Sequence, residues 1–133
     1  MKVLVVEDDF TSRNLILGIL RHHANCDVAV NGKEAIAAFT ASLDGNSPYD
    51  LILLDIMMPE MDGQEALKQI RILEEDRGIS GLDGVKVIMT SGLEDSANII
   101  KSFRYQCEAY IVKPISKQRL LKEIETLGLI NKS

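Results

Sequence analysis

No apolar stretch of this 133-residue chain approaches the roughly 20 residues a helix needs to cross a bilayer. Met1-Lys2 runs straight into a short strand-like segment, without a long apolar region or a small-residue cleavage site. A secretory leader is therefore not expected, and a cytoplasmic location is. Cysteine is scarce. Cys26 and Cys107 form no metal-type pair and are too few for a disulfide scaffold, so both read as reduced, partly buried thiols. Basic clusters are missing too. The net charge is −5, and nucleic-acid affinity is mostly electrostatic, so direct DNA or RNA binding is not expected. The chain also lacks a Gly-x-Gly-x-x-Gly or Walker-type loop, internal repeats and low-complexity tracts.

What is present is 46% hydrophobic residues, enough at this length for one globular domain with a sizeable core. Strand-like and helix-like segments alternate throughout, the mark of an α/β doubly wound sheet. Strands are expected at 3–6, 26–30, 51–54, 85–89 and 109–112. Helical spacing places Leu15, Ile16, Ile19 and Leu20 on a helix over 11–22, and Ala35, Ile36, Phe39 and Leu43 on a second. Ala66, Leu67, Ile70 and Leu73 belong to a third, a weaker fourth spans about 96–105, and Leu120, Leu121, Ile124 and Leu127 mark a fifth. Asn31 with Glu34, and Asp62 with Glu65, resemble capping boxes, and Ser116 fits a helix cap. Residues 76–84 hold three glycines without periodicity and read as a flexible connection. One domain over 1–127, with a short tail at 128–133 and no output domain, is the expected organisation.

Four apolar runs end in polar residues that a parallel sheet would deliver to one edge, where ligands bind. Glu7-Asp8-Asp9 follow the first, Asp55 the third, Thr90-Ser91 the fourth and Lys113-Pro114 the fifth. Asp9 alone reads as hydrated surface charge. Glu7 and Asp8 differ, because Asp55 arrives beside them from the neighbouring strand. Crowded carboxylates raise one another's pKa unless a cation intervenes, and a hard divalent ion such as Mg²⁺ suits them. Metal fits better than a shared proton, since Lys113 adds positive charge and helps keep Asp55 ionised. Carboxylates act as phosphoryl acceptors, and phosphoryl transfer asks mainly for positioning and charge neutralisation. Mg²⁺ on Asp8 and Asp55, the Lys113 ammonium and the Thr90 hydroxyl meet that demand.

With these residues in this order the chain resembles a response-regulator receiver domain of two-component signalling, of the chemotaxis-regulator type. The motifs are Val-Val-Glu7-Asp8, Leu-Leu-Asp55-Ile-Met57-Met-Pro59-Glu-Met-Asp62-Gly63, Thr90-Ser91 and Tyr110-Ile-Val-Lys113-Pro114, and they span nearly the whole chain. The resemblance implies a flavodoxin-like (βα)5 fold, strand order 2-1-3-4-5, with helices on both faces. It makes Asp55 the phospho-acceptor, Asp8 a direct Mg²⁺ ligand, Glu7 a ligand through water and the Met57 backbone carbonyl the remaining protein ligand. Mn²⁺ would substitute for Mg²⁺. Thr90 would contact the phosphoryl oxygens, Lys113 would pair with them, and the Lys113-Pro114 bond would be cis. Arg13 also falls on a common family position.

The same resemblance implies a sensor histidine kinase or histidine-phosphotransfer protein as donor, and an unidentified downstream protein reached through 94–105, 109–112 and 117–127. It is compatible with a homodimer formed on phosphorylation. Tyr110 reads either as a half-buried aromatic with its hydroxyl in water, or as a switch that turns when Thr90 moves. Neither Met57 nor Gly92 can position an attacking water, so slow self-dephosphorylation is expected. The stretch from Asp55 to Thr90 is longer than in compact chemotaxis-type receivers, with the excess around 76–84, at the opposite end of the sheet. His22 and His23 read as helix-end surface residues. Met57, Met58 and Met61 read as packing around the Asp55 loop.

Three rivals are weaker. A flavin phosphate would meet Glu7-Asp8-Asp9 instead of amides and hydroxyls. A haloacid-dehalogenase-type hydrolase needs a second aspartate two residues after the nucleophile, where Met57 stands. Turnover of an external substrate is therefore not expected. A purely structural receiver would not need Asp8, Asp55, Thr90 and Lys113 together.

Overall fold

The computed structural model describes residues 1–92 and 107–130. Five parallel strands, β1 (Lys2–Val6), β2 (Asn25–Ala29), β3 (Leu51–Asp55), β4 (Lys86–Ser91) and β5 (Ala109–Val112), form one sheet. Their order is β2-β1-β3-β4-β5, all pairings being parallel. Between them lie α1 (Phe10–Leu20), α2 (Gly32–Asp44) and α3 (Gly63–Asp76), and the C-terminal helix spans Lys117–Thr126. The expected helix over 96–105 lies outside the described residues.

Strands β1 and β3 are buried on both faces, as their unbroken apolar runs require. Alternate residues feed two cores. Leu4, Val6, Ile52, Leu54, Val87 and Met89 pack under α2 and α3. Val3, Val5, Leu51, Leu53 and Ile88 pack under α1 and the C-terminal helix. Caps set the helix starts. Asn31 accepts from the Glu34 amide at 2.8 Å, while the Glu34 carboxylate accepts from the Val30 amide at 3.0 Å. Asp62 and Ser116 accept from the amides of Glu65 and Arg119.

Some boundaries and faces differ from the sequence expectation. β2 starts and ends one residue early, and Thr90 and Ser91 belong to β4 instead of following it. The ladder to β5, pairing Thr90 with Ile111 and Ser91 with Val112, carries the strand beyond its apolar run. Leu15 is exposed, the buried face of α1 being Ile16, Ile19 and Leu20. His22 and His23 are exposed in the turn beyond α1 instead of in its last turn. Leu129 and Ile130 pack against the second core.

The connection at 76–84 is tied down at both sides. It contains a short 3₁₀ turn, Gly81–Asp83. Buried Glu74 accepts from the Val85 amide at 2.6 Å and from Arg71 at 2.8 Å, while Arg71 also reaches the Val85 carbonyl and Glu108. A cavity of about 500 Å³ opens there, lined by Phe39, Leu43, Tyr49, Ile79 and Val85 among others. It lies at the end of the sheet where β3 and β4 begin, and holds none of the predicted site residues.

Candidate functional site

At the other end of the sheet the four polar strand-ends converge. Glu7 directly follows β1 and is fully buried, its amide bonded to the Ala29 carbonyl at 3.0 Å. Asp55 is the last residue of β3 and is 3% exposed. Thr90 stands opposite it in the β3–β4 register and is 1% exposed, and its carbonyl accepts from the Ile56 amide at 2.9 Å. Asp8 alone of the three carboxylates faces solvent. One carboxylate oxygen each from Glu7, Asp8 and Asp55 lies within 4.8 Å of the others.

Lys113 follows β5 and reaches into this cluster, its ammonium 2.6 Å from Glu7 Oε1 and 3.2 Å from Asp55 Oδ2. One cation thus serves two buried anions and sits closer to Glu7. Burial, and then the neighbouring Glu7, push the Asp55 carboxyl up to about 7, with Lys113 opposing the rise only in part. Partial burial and Glu7 likewise raise Asp8. Burial pulls the Lys113 ammonium down, but its two carboxylate partners outweigh that and leave it above its ordinary value. Lys113 thus acts in the direction the sequence implies, lowering the Asp55 pKa, but burial and Glu7 outweigh it. The charge is unbalanced by one to two units.

A hard cation fits that imbalance. All three donors are carboxylate oxygens, the buried Glu7 Oε1 has no directed hydrogen bond beyond its charge contact with Lys113, and exposed Asp8 leaves one side open to water. Such a set suits Mg²⁺, which keeps several waters, far better than a softer ion.

Neighbouring groups hold the loops in place. Asp9, read from sequence as hydrated charge, is the cap of α1, accepting from the Ser12 amide at 2.8 Å. That bond lowers its pKa. Its amide donates to Glu7 Oε2 at 3.1 Å. Arg13 donates to the carbonyls of Glu7 and Asp8, at 3.1 and 3.4 Å. The Met57 amide lies 3.4 Å from Asp55 Oδ1, and the Met57 side chain is 61% exposed at the rim instead of packing with Met58 and Met61. The Lys113–Pro114 peptide is cis.

Two residues here carry more than the sequence indicated. A Cβ on Gly63 would fall 2.1 Å from the Asp55 carbonyl oxygen, so only glycine lets α3 begin against the end of β3. Its amide closes the loop on Ile56 O at 2.8 Å. Ser91, quoted beside Thr90 without a role, is buried and hydrogen-bonded to the Tyr110 hydroxyl. The Tyr110 hydroxyl is therefore not turned to water.

A five-stranded doubly wound sheet with an aspartate, two further carboxylates, a hydroxyl and a lysine at its carboxyl edge defines a class of α/β domain with an acidic edge site. Within that class the chain belongs to the response regulator receiver domain family, which matches residues 3–125. It is 37% identical over 127 residues to the transcriptional regulatory protein ResD of Bacillus subtilis, covering 95% of this chain and 47% of ResD. It is 33% identical over 128 residues to the chemotaxis protein CheY of Listeria monocytogenes, covering 94% of this chain and 96% of that one. The chain thus spans about half the length of ResD and nearly all of CheY. Among solved structures, it is similar to the receiver domain of the histidine kinase CKI1 from Arabidopsis thaliana complexed with Mg²⁺ and BeF₃⁻. The TM-score is 0.76 at 30% identity, covering 94% of this chain and 89% of that one.

Proposed function

We propose that this receiver takes a phosphoryl group from a phosphohistidine donor, a sensor histidine kinase or histidine-phosphotransfer protein, onto Asp55. The observation that carries the reading is the charge cluster itself: three carboxylates converging on one lysine, with Asp55 buried among them. An Asp55 oxygen attacks phosphorus, the P–N bond breaks, and the donor imidazole keeps the electron pair and a proton. The product is an acyl phosphate on Asp55. Lys113 neutralises charge on the transferred group and the Thr90 hydroxyl hydrogen-bonds to it, which is most of what this chemistry requires. Mg²⁺ would be held by Asp8, Asp55 and the Met57 carbonyl, with Glu7 acting through water, and would supply further neutralisation of the phosphoryl oxygens. Mn²⁺ offers the same chemistry.

Turnover stops at the chain's own phosphoryl group. Position 57 carries a thioether where an external hydrolase would need an acid/base, so the protein acts as a signalling switch with no outside substrate. Output passes to a downstream protein through a face that includes Ala109–Val112 and residues 117–127; its third expected part, 94–105, lies outside the described residues. No described helix is long and apolar enough to cross a membrane, and we assign the protein to the cytoplasm with its donor.

Incubation with Mg²⁺ and acetyl phosphate or phosphoramidate, followed by intact-protein mass, tests the reading. One added phosphoryl group, missing in Asp55→Asn, is expected. Release of phosphate from unrelated monoesters would favour the hydrolase instead. The exposed Met57 gives an attacking water no hydrogen-bond partner, so the acyl phosphate should outlive that of Met57→Asn.

A further inference from the structure

β2 contributes no member of the acidic cluster, yet the turn that follows it touches both arms of the site. The Ala29 carbonyl accepts from the Glu7 amide at 3.0 Å, on the Glu7-Asp8 arm. Three residues on, the Gly32 amide donates to the Met61 carbonyl at 3.2 Å, on the loop that leads from Asp55 to α3. The turn between these contacts is fixed by the reciprocal bonds of Val30, Asn31 and Glu34. Gly32 is buried and has no room for a side chain. A Cβ there would lie 2.5 Å from the Met61 carbonyl oxygen and 2.7 Å from both Met61 Cβ and Cγ. A backbone carbonyl cannot swing aside as a side-chain tip does, so the loop itself would have to retreat. Its other backbone–backbone bonds among the described residues run to β4, to α3 and within the loop.

We propose that the β2–α2 turn is a positioning element, with Gly32 its contact residue, that sets the spacing between the Glu7-Asp8 and Asp55 arms of the cation site. The proposal rests on the reading of the acidic cluster as a Mg²⁺ site. The β1–β3 ladder runs only as far as Val6 and Leu54, one residue short of Glu7 and Asp55. Beyond it, the turn links the two arms from outside. Spacing matters because Mg²⁺ demands near-ideal octahedral geometry, whereas Ca²⁺ accepts a looser and more variable shell. A displaced loop therefore penalises the smaller ion more.

Isothermal titration of the full chain with Mg²⁺ and, separately, with Ca²⁺ reads spacing apart from folding. Gly32→Ala should weaken Mg²⁺ binding about 10-fold, a typical effect of losing a group that orients metal ligands. Its Ca²⁺ binding should fall by no more than about 3-fold. Gly45→Ala, at the far end of α2 where a Cβ meets only Ala41 O at 3.2 Å, should leave both affinities at wild-type values. In amide NMR of the metal-free protein, Gly32→Ala should shift Glu7, Met57 and Met61 together, and Gly45→Ala none of them. Should Gly32→Ala not fold, Gly32→Ala/Met61→Gly, relieved of two of the three opposing atoms, carries the same comparison against Met61→Gly. Equal losses for the two cations, an unchanged Mg²⁺ affinity or unmoved amides would overturn the proposal. Failure of the wild-type chain to bind Mg²⁺ would overturn the cation reading, while the metal-free amide comparison would still decide whether the turn holds both arms.

Discussion

Asp55 carries two opposed demands. In the proposed role of phospho-acceptor it must be ionised, yet burial and Glu7 push its carboxyl up to about 7. Replacing it by asparagine removes one of three crowded anions and keeps the shape, so Asp55→Asn should unfold at higher temperature than wild type in chelator at neutral pH. A gain of roughly 1–3 kcal/mol is expected, in the manner of functional sites that sacrifice stability. Cys107 behaves more simply. Burial first, and Glu108 second, raise its thiol to about 11 from 9.0. The folded state keeps a proton there that the unfolded chain loses, so the stability this gives is present below pH 9 and disappears between pH 9 and 11. Denaturant titrations at pH 8 and 10.5 should show a loss in wild type larger by about 2 kcal/mol than in Cys107→Val. Asp9 shows what single residues conceal: its sequence context fits hydrated charge, and only the position of the α1 start makes it a cap.

At the scale of elements, strand interiors were readable because parallel strands covered on both faces must be apolar throughout. Their ends were not. Polar Thr90 and Ser91 stay in β4 because β5 supplies hydrogen-bond partners, a fact of neighbours that no local pattern encodes. Helix faces were legible to within a residue or two: the stripe placed Ile16, Ile19 and Leu20 correctly and Leu15 wrongly, since a stripe about 100° wide leaves its rim residues undecided. The start of α3 depends on a close approach invisible in sequence. A methyl at Gly63 collides with the Asp55 carbonyl. Gly63→Ala should therefore destabilise the fold by about 2 kcal/mol or more and lower phosphoryl uptake, because the displaced backbone is that of Asp55, the proposed acceptor. Thermal unfolding and intact mass measure the two effects. Wild-type values in both would disprove the claim.

For the whole molecule, two ends of one sheet carry different structures. The carboxyl edge gathers the charges; the opposite edge anchors the 76–84 connection through Glu74, Arg71 and Glu108 and opens the cavity over Tyr49 and Phe39. A cation bound only by the folded cluster stabilises the entire cooperative unit. Saturating Mg²⁺, at about 100 times its dissociation constant, should add roughly 2.7 kcal/mol to unfolding at neutral pH. Asp8→Asn, at the solvent-facing carboxylate of the proposed ligand set, should forfeit most of that increment while leaving stability in chelator little changed. An Asp8→Asn variant that responds to Mg²⁺ as wild type does would remove Asp8 from the ligand set.

The order of apolar runs and the polar residues ending them determined the alternating α/β class and the membership of Glu7, Asp8, Asp55, Thr90 and Lys113 in one edge, because strand direction fixes where each residue emerges. Only the tertiary structure decided how charge is shared among them. Lys113 divides itself between Glu7 and Asp55, Gly63 lies against the Asp55 carbonyl and Ser91 is hydrogen-bonded to Tyr110. Those contacts join residues far apart in the chain, and their energies depend on distances and burial that arise only when the sheet and its helices close around them.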